Sequence, residues 1–560
     1  MIYKPKILSL VALITLLITM LVVPCLAPGS RASAGLLVDE STHFIEVPGG
    51  SFGSQPLKLA ATLYQPRFFP SAPAVIYIHG WGGRRLQGED NLAYYVAAAG
   101  YTVLSYTARG FGGGESGGRA TLAGPDELND LSSVIDWLTN DPDHVIAPRV
   151  TKIGVIGGSY GGGHGFQISS DPRVAAVIPL AGWTDLEQAL FPNGAINYQV
   201  GIGHFYSGLE RETGQAPFFN YTRLQFDIFD AGAEGRQPDD RVKQELRDRS
   251  IAARNADGQV TLDQSRQPRA PVFIVQSWDD YLFPSTQVLD VFSQITAPKQ
   301  IYMGRQGHPP GGNQLEGEEL YIATQVLRWF DRYLRGFGGK DSRSVTSAPA
   351  PFSALPFTAK QFPSDDISPV SLFLKPGGIL KRGKKGQDQP ETAGGIFYPE
   401  RIRSSRLGED LPTHGDMLSG RTEALVTAPR ILVYTLPPWD RQTEMIGSSE
   451  FTLYVSSQTS RDVDLIVRTF DVAPDGTETE VTVGAARVTG LARGEVRAVN
   501  FRDYGDDWVF REGHSLRIKI SNIDFPEFRP PGTNDNLASE ITIHNGKIFR
   551  SRMRLPVRVK

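Results

Sequence analysis

Residues 74–335 carry short apolar runs that alternate with longer amphipathic stretches. Most of the runs are continuously apolar, which is typical of parallel strands that helices cover on both faces. We therefore predict strands at Ala74–His79, Tyr101–Tyr106, Ile153–Gly157, Val174–Leu180, Val272–Gln276 and Gln300–Met303. The amphipathic stretches predict helices at Asn91–Ala99, Glu127–Thr139, Gly162–Ser170, Ser285–Ile295 and Glu318–Arg335. This alternation indicates an α/β fold with a doubly wound, mostly parallel sheet.

The alternation stops between residues 182 and 267, which are inserted between two core strands. Aromatic residues are frequent in this segment, and a charged stretch, Asp239–Arg254, follows them. Long surface loops seldom carry so many aromatic residues, so we predict a helical cap rather than an ordinary surface excursion. Residues 35–181 and 268–340 would then form one α/β domain around the insertion.

The pattern changes again beyond residue 340. Residues 341–366 are rich in Pro, Ala and Ser and have no apolar period, so we predict a linker. In residues 367–560 apolar and polar positions alternate with period two, and turn residues separate the runs. The predicted strands are Val370–Leu374, Ile431–Leu436, Glu450–Val455, Val463–Phe470, Glu480–Val483, Val496–Phe501, Ser515–Ile520 and Glu540–Ile543. Such strands without helices predict an all-β sandwich of the jelly-roll type.

The first 34 residues have the pattern of an export segment. Lys4 and Lys6 precede an apolar run over residues 7–26, and Ala32 and Ala34 supply small residues for cleavage. We expect a cleaved signal peptide, with an uncleaved membrane anchor as the alternative because the run is long enough to span a bilayer. In both cases the rest of the chain would be exported, either secreted or held in the cell envelope.

The composition excludes several classes of partner. The formal net charge is -4 and no long basic run occurs, so nucleic acid is not expected as a partner. Cys25 is the only cysteine, which rules out an intrachain disulfide and a thiolate metal site. We expect no metal and no cofactor, and a membrane contact only through an uncleaved N-terminal segment. The sequence leaves the oligomeric state open.

One glycine-rich motif carries the chemistry. Gly157-Gly158-Ser159-Tyr160-Gly161 follows a predicted strand and precedes a predicted helix. With 59 glycines in 560 residues, about one chance match to the bare G-x-S-x-G pattern is expected, so its position makes it specific. A serine on such a tight turn exposes its hydroxyl at the carboxyl edge of the sheet. This is the nucleophile elbow of an α/β-hydrolase, and Ser159 is the predicted nucleophile.

A serine nucleophile needs a base and an acid that orients the base. In this fold they follow the serine in the order Asp or Glu, then His, and the acid is expected after the next-to-last core strand. Asp279 and Asp280 compete for that place. Ser277, three residues before, and Pro284, four residues after, both favour Asp280. Asp279 stays as the alternative, with a role in capping the turn or lining the pocket.

Four histidines follow the predicted acid, at His308, His414, His514 and His544. His308 lies on the loop between the last predicted core strand and the last helix, where its side chain would reach the sheet edge that bears Ser159. The other three lie in the β-rich region, so His308 is the predicted base. His164 lies on the helix after the elbow, which runs away from the serine hydroxyl, and we interpret it as structural.

The predicted oxyanion hole combines the backbone N–H of Tyr160 with a donor from the loop after the first core strand. That loop reads His79-Gly80-Trp81-Gly82-Gly83. We predict that Trp81 or Gly82 supplies the second donor and that His79 braces the loop. A second glycine-rich loop, Arg109–Gly117, lacks the Lys-Ser/Thr ending of a phosphate-binding loop. Arg109 is expected to pair with a carboxylate behind the site.

A set of motifs spread over both regions points to one family. They are Arg109-Gly110-x-Gly with Ser116-Gly117, Glu127–Asp130 with Ile135–Leu138, the Ser159 motif, Trp278 with Asp280, Gly307-His308 and Leu465–Gly476. Together they resemble the Xaa-Pro dipeptidyl-peptidase and cocaine esterase family of α/β-hydrolases. The resemblance implies a C-terminal jelly-roll domain, a Ser159, Asp280 and His308 triad, and Tyr160 as a backbone oxyanion donor. One position departs from the family, because Trp81 stands where a tyrosine hydroxyl commonly supplies the second donor.

The resemblance implies an exported serine hydrolase that cleaves an ester or an amide through an acyl-enzyme, with a small ester or a short peptide as substrate. An Xaa-Pro dipeptidyl-peptidase must hold the free ammonium of its substrate, for which Asp279, Glu115 and Glu187 are candidates. An esterase needs only the apolar pocket that the cap aromatics could form. The alternative from another class is a binding protein without catalysis on a hydrolase scaffold, which a complete triad in the right order disfavours.

Overall fold

The computed structural model describes residues 37–68, 72–89, 91–140, 150–203, 222–254, 259–308, 317–339, 344–351, 357–382, 391–398, 425–525, 527–532, 537–546 and 548–558. The predicted export segment with Cys25, and also His414, lie outside the described residues. None of the helices in the described ranges is long and apolar enough to cross a membrane.

Twelve strands lie in the described part of the first 360 residues. They are β1 Val38–Val47, β2 Leu57–Pro66, β3 Ala72–Ile78, β4 Thr102–Tyr106, β5 Val150–Gly158, β6 Val174–Leu180, β7 Ala252–Arg254, β8 Val260–Leu262, β9 Val272–Ser277, β10 Lys299–Gly304, β11 Val345–Ser347 and β12 Phe357–Ala359. Ten of them form one sheet in the order β1-β2-β4-β3-β5-β6-β9-β10-β11-β12, and β7 and β8 pair with each other. From β4 to β11 in this order all neighbours are parallel.

Helices cover both faces of this sheet. They are α1 Leu92–Ala98, α2 Pro125–Asn140, α3 Tyr160–Ile168, α4 Leu186–Leu190, α5 Arg223–Ala233, α6 Asp240–Arg247, α7 Ser285–Phe292 and α8 Glu318–Phe330. Buried side chains of α2, α3 and α7 pack with Ile76 and Ile78 of β3. Those of α1 and α8 pack with Val75 of the same strand, on the opposite face. The doubly wound α/β fold predicted from the sequence is therefore confirmed.

The two edges of the sheet differ from the sequence prediction. At one edge β1 and β2 add an antiparallel pair that no predicted strand covers. At the other edge β11 and β12, which lie in the predicted linker, extend the sheet beyond β10. Strands of three residues are too short to carry an apolar period, and backbone hydrogen bonds to an edge strand suffice to order them.

The segment predicted as a helical cap holds α4, α5, α6 and a π-helical turn at Tyr198–Ile202, followed by the β7–β8 hairpin, which was not predicted. Residues 204–221 of the segment lie outside the described residues. The amide of Asn197 donates to the carbonyl of Tyr281, 2.8 Å away, on the loop after β9. The backbone N–H of Tyr198 donates to the carbonyl of Glu527, also at 2.8 Å. The insertion thus bridges the α/β domain and the C-terminal region.

The C-terminal region is an all-β domain. Its strands are β13 Ile367–Lys375, β14 Ile379–Arg382, β15 Glu391–Tyr398, β16 Leu425–Arg430, β17 Leu432–Thr435, β18 Thr443–Gly447, β19 Glu450–Ser456, β20 Val463–Val472, β21 Glu478–Val488, β22 Arg497–Arg502, β23 Asp506–Phe510, β24 Ser515–Ser521, β25 Leu537–His544 and β26 Arg552–Arg558. They form one curled, almost entirely antiparallel sheet, close to a barrel, around a buried apolar core. The predicted all-β domain is confirmed.

The turn between β5 and α3 is packed so closely that position 161 admits only glycine. A Cβ placed on Gly161 would lie 2.2 Å from the carbonyl oxygen of Ile78, at the end of β3. The first turn of α3 therefore rests directly on the neighbouring strand. Gly165, one turn further along α3, has more room, because a Cβ there would first meet Pro179 at 3.7 Å.

This packing predicts opposite effects for two Gly→Ala substitutions on one helix. Gly161→Ala should lower the melting temperature and the soluble yield, since overpacking against backbone costs about 1–3 kcal/mol or more. Gly165→Ala should leave the melting temperature unchanged or raise it, because alanine is the better helix former by about 1 kcal/mol. Thermal unfolding of both variants beside the parent protein tests this, and equal melting temperatures would contradict the packing described for the elbow.

Candidate active site

The carboxyl ends of four parallel strands, β3, β5, β9 and β10, place the predicted site residues at one edge of the sheet. The loop after β3 begins at His79, Ser159 follows β5, Asp280 follows β9 and His308 follows β10. In an open α/β sheet this edge is where ligands bind, beside the point at which the strand order reverses. Here that point lies between β3 and β5.

Ser159 lies at the sharp turn predicted from its flanking glycines. Its backbone has φ 56° and ψ -115°, a conformation that side-chain-bearing residues rarely adopt. The Ser159 N–H donates to the carbonyl of Leu180 at the end of β6, 2.8 Å away. A Cβ on Gly157 would lie 2.6 Å from the carbonyl carbon of Gly161, so the turn closes only with glycine there. The constraint lifts the Ser159 hydroxyl off the sheet edge.

His308 contacts both the serine and the acid. Its Nε2 lies 2.9 Å from Ser159 Oγ, and its Nδ1 lies 3.0 Å from Asp280 Oδ2. A carboxylate only accepts hydrogen bonds, so Nδ1 carries the proton and Nε2 is left to accept the serine O–H. Phe283 packs its ring edge-to-face on the imidazole, with centroids 5.1 Å apart. The structure thus brings the three predicted residues into one hydrogen-bonded chain.

Asp280, and not Asp279, faces the histidine. The fully buried Asp280 carboxylate accepts the backbone N–H groups of Leu282 and Phe283 through Oδ1, at 3.0 and 2.9 Å. Gln276 donates to Oδ2 at 3.3 Å. Asp279 turns the other way and accepts from Arg305 Nη1 at 3.0 Å. Burial raises the pKa of Asp279 to about 6, although the charge of Arg305 opposes the rise.

The loop after β3 lies directly beside the elbow. It turns tightly, with the Gly83 N–H donating to the Gly80 carbonyl at 2.9 Å and Gly82 at φ 70°. A Cβ on Gly80 would come within 3.7 Å of Ser159 Cβ, so the backbone of the loop reaches Ser159. The Trp81 ring packs edge-on against Tyr160, with centroids 5.6 Å apart. The predicted oxyanion residues are therefore neighbours, and their roles stay predictions.

His79 fastens this loop, in line with its predicted role as a brace. Its Nδ1 donates to the Gly80 carbonyl at 2.7 Å, and its Nε2 accepts the N–H of Ala108 at 3.0 Å. These two bonds need the neutral ring, and burial lowers the pKa of His79 to about 4. His79 thus ties the loop after β3 to the loop after β4 without carrying a charge.

His164 and Glu127 form a buried layer beneath Tyr160 that sequence reasoning described only in part. His164 Nδ1 donates to the Tyr160 carbonyl at 3.1 Å, and burial lowers the pKa of His164 to about 4. Its Nε2 lies 3.7 Å from Glu127 Oε2. Glu127 in turn accepts the backbone N–H groups of Thr121 and Ala123. The sequence signal for this support was a Glu in the first turn of a predicted helix, on the face that also carries Leu131, Val134 and Leu138.

Arg109 pairs with a carboxylate, as its position in a glycine-rich loop suggested. It donates from Nε and Nη2 to the two oxygens of Asp130 on α2, at 2.6 and 2.5 Å. Its remaining N–H groups reach the carbonyls of Gly49 and Pro48, both at 3.1 Å. This buried fork holds the loop after β4 against α2 and the β1–β2 connection.

Each carboxylate considered for a substrate ammonium already has an arginine partner. Glu115 pairs with Arg85, and Asp279 pairs with Arg305 at 3.0 Å. Glu187 accepts from Arg247 at 2.5 and 3.0 Å. Glu115 and Glu187 are therefore compensated one to one, whereas Asp279 shares Arg305 with Asp506. Within the described residues no cluster of His, Cys, Asp and Glu has the arrangement of a metal site.

Known proteins share this fold over most of the chain. An aminopeptidase from the marine sediment archaeon Thaumarchaeota archaeon is 16% identical, with a TM-score of 0.68 over 95% of this chain and 99% of that one. A CocE/NonD family hydrolase from Staphylococcus aureus is 17% identical, with a TM-score of 0.67 over 92% and 97%. The quorum-quenching protein AidA of Acinetobacter baumannii (strain MDR-ZJ06) is 32% identical over 139 residues, which are 24% of this chain and 43% of AidA.

Both domains also match one family in sequence. Residues 55–310 match the X-Pro dipeptidyl-peptidase (S15 family), and residues 340–552 match the X-Pro dipeptidyl-peptidase C-terminal non-catalytic domain. The two matches follow each other in the order of the two domains of the structure. The resemblance stated from the motifs is therefore confirmed. The chain belongs to the X-Pro dipeptidyl-peptidase (S15) family and is a serine hydrolase.

Proposed function

We propose that this hydrolase cleaves an ester or amide through an acyl-enzyme formed on Ser159, with His308 as the base and Asp280 as the acid that orients it. The observation that carries the proposal is the unbroken contact from Ser159 Oγ to His308 Nε2 at 2.9 Å and from His308 Nδ1 to Asp280 at 3.0 Å. A serine hydroxyl becomes nucleophilic only beside such a base.

Each member of this chain has a defined part in the reaction. His308 removes the hydroxyl proton as Ser159 attacks the carbonyl carbon, and then gives that proton to the leaving alcohol or amine. Asp280 holds the tautomer and stabilises the imidazolium that forms. A water molecule then attacks the acyl group with the same histidine as base, which releases the acid and restores the serine.

The oxyanion of the tetrahedral intermediate would bind the Tyr160 N–H and a donor from Trp81 or Gly82. The support is that the glycine turn of this loop lies against Ser159, while the Trp81 ring lies against Tyr160. Each such donor typically contributes about 100- to 1000-fold to turnover. His79 and His164 stay neutral at physiological pH, so neither of these two rings would add a positive charge beside the oxyanion.

For the substrate, the pairing of the candidate carboxylates favours an ester over an N-terminal Xaa-Pro dipeptide. Glu115 and Glu187 each form an ion pair with an arginine, and Asp279 shares Arg305 with Asp506, so Glu115 and Glu187 offer no uncompensated charge to an ammonium and Asp279 is already engaged. From the cap, Trp183 packs its ring 5.3 Å from that of Phe283, which in turn packs on the His308 imidazole. Such a wall suits an apolar acyl group.

Removal of the nucleophile tests the proposed mechanism. Ser159→Ala should reduce turnover of an active ester by about 10⁵–10⁶-fold, because no other group can form the acyl-enzyme. Asp280→Asn should reduce turnover by about 10⁴-fold through the wrong histidine tautomer. Ser170→Ala, the same substitution just beyond α3, is the control and should keep full activity. Measurable turnover by Ser159→Ala would overturn the proposal.

The substrate class is tested with matched substrates. We expect short acyl esters to be hydrolysed, and Gly-Pro and Ala-Pro anilides to be poor substrates, since the candidate carboxylates are already paired with arginine. An N-blocked Ala-Pro anilide serves as the control for recognition of the amine. A clear preference for the free-amine anilide over both the blocked anilide and the esters would instead assign a dipeptidyl-peptidase.

We also propose that the enzyme acts outside the cytoplasm, because Lys4 and Lys6 precede the apolar run of residues 7–26 and Ala32 and Ala34 follow it. Expressed with its own N-terminus, the protein should be exported, and sequencing of the mature N-terminus should find Gly35 first. An intact Met1 in a membrane fraction would assign the anchor instead. Full-length protein in the cytosol would contradict export.

A further inference from the structure

One arginine links the loops of the predicted acid and base to the β domain. Arg305 lies just beyond β10, three residues before His308, and its side chain is only 2% exposed. Its Nη1 donates to Asp279, the neighbour of Asp280, at 3.0 Å. A single buried guanidinium thus joins the loop that carries the base to the loop that carries the acid.

The other donors of this guanidinium reach the C-terminal half of the chain. Arg305 Nη2 donates to the carboxylate of Asp506, at the start of β23, and to the carbonyl of Asp507 at 2.6 Å. Its Nε donates to the carbonyl of Ala348 at 3.1 Å. Every nitrogen of the guanidinium therefore has a partner, and the direction of the fork is fixed.

Two further side chains, Ser277 and Trp278, form hydrogen bonds beside Arg305 and restrain the same loops. Ser277 Oγ accepts the N–H of Asp279 at 3.2 Å and the N–H of Gly307 at 2.9 Å, so it bonds both loops at once. Trp278 Nε1 donates to Ser347 Oγ at 2.9 Å, and that hydroxyl donates to Asp507 at 2.6 Å. The acid loop thus has a second line of contact with β23.

A contribution to folding stability does not by itself explain such a network. Burial would lower the pKa of Arg305, and the charges of Asp506 and Asp279 outweigh that effect, so the guanidinium stays charged. Buried ion pairs often contribute little more to stability than apolar residues of the same size. A buried ion pair adds a defined orientation instead, because a guanidinium that bonds three segments of the chain allows only one arrangement of those segments.

We propose that Arg305, Asp279 and Asp506 are positioning residues, through which the β domain fixes the distance between the Asp280 loop and the His308 loop. This inference rests on the proposed function of the Ser159, His308 and Asp280 chain. None of the three residues contacts the nucleophile, so they act through the two loops. Loosening them should slow the chemical step and leave substrate binding almost unchanged.

The test compares variants within this network with a matched buried pair outside it. Asp506→Asn, Asp279→Asn and Arg305→Met should each lower kcat by about 10- to 100-fold, the usual cost of a displacement near 1 Å at a reacting centre. KM should stay within about twofold. Arg305→Lys keeps the charge without the fork and should recover part of the loss seen in Arg305→Met.

The matched control is Asp464→Asn. Asp464 is a buried β-domain carboxylate that accepts from Arg487 at 2.7 and 2.9 Å. Arg487 also donates to the carbonyl of Gly235 in the cap at 2.8 Å, so this pair too links separate parts of the chain. Asp464→Asn should lower the melting temperature as Asp506→Asn does, yet keep kcat.

The readouts are kcat and KM per folded molecule and the rate at which a fluorophosphonate labels Ser159. If Asp506→Asn and Asp279→Asn match Asp464→Asn in all three, the positioning role is wrong and the network is merely structural. Asp279→Asn keeps the test open if the more deeply buried variants fail to fold, because its side chain is 30% exposed. Ser159→Ala is assayed in parallel. Retained turnover by this variant would refute the proposed function rather than the positioning role.

Discussion

The left-handed backbone of Ser159 is the constraint on which the rest of the site depends. A residue with a side chain held at φ 56° stores about 1–3 kcal/mol of strain, which the surrounding structure must outweigh. Two contacts do so: the N–H of Ser159 is bonded to Leu180, and Gly161 rests on the carbonyl of Ile78. If the turn relaxed, the hydroxyl would move away from His308 and the hydrogen-bonded chain would break.

The polar groups around this turn fix the orientation of the His308 imidazole and of the neighbouring loops through hydrogen bonds. The two buried histidines among them add no charge. His79 and His164 are buried and neutral, and their hydrogen bonds go to backbone groups: His79 bonds Gly80 and Ala108, and His164 bonds Tyr160. Asp280 accepts three N–H groups in addition to the imidazole. Because hydrogen bonds are directional, this arrangement holds the imidazole in one tautomer and one orientation before any substrate arrives.

Much of the α/β domain could be predicted from the sequence, because its central strands are continuous apolar runs. β6 was placed to the residue, and the strands that precede the elbow and His308 differ from prediction by three residues or fewer at each end. The edges were missed for different reasons. Half of the β1 residues are exposed, and β11 and β12 are too short to show a period, whereas β2 has a buried run from Leu59 to Tyr64 that was overlooked among the apolar runs.

The residues of the candidate site also fall into two groups, those that a local sequence pattern identifies and those that only the tertiary structure reveals. Residues that a local motif specifies, such as Ser159, were identified, and the spacing to Ser277 and Pro284 selected the aspartate that faces His308. Arg305 was missed, because nothing in Gly304-Arg305-Gln306 signals a buried guanidinium. Its partner Asp506 follows 201 residues later in another domain. Contacts of that kind depend on tertiary structure, which no window of sequence contains.

The polar character of the domain interface bears on what the β domain does. Asp290 on α7 accepts from Arg502 at 2.7 Å, and Ser285 donates to the carbonyl of Tyr504 at 2.7 Å. Apolar packing alone would allow two domains to slide over each other, whereas charge-assisted bonds to defined atoms fix their orientation. These contacts lie just beyond the acid loop, in the helix that follows it. The β domain therefore supports the active-site edge from outside the sheet, which makes it part of the catalytic scaffold rather than an appended module.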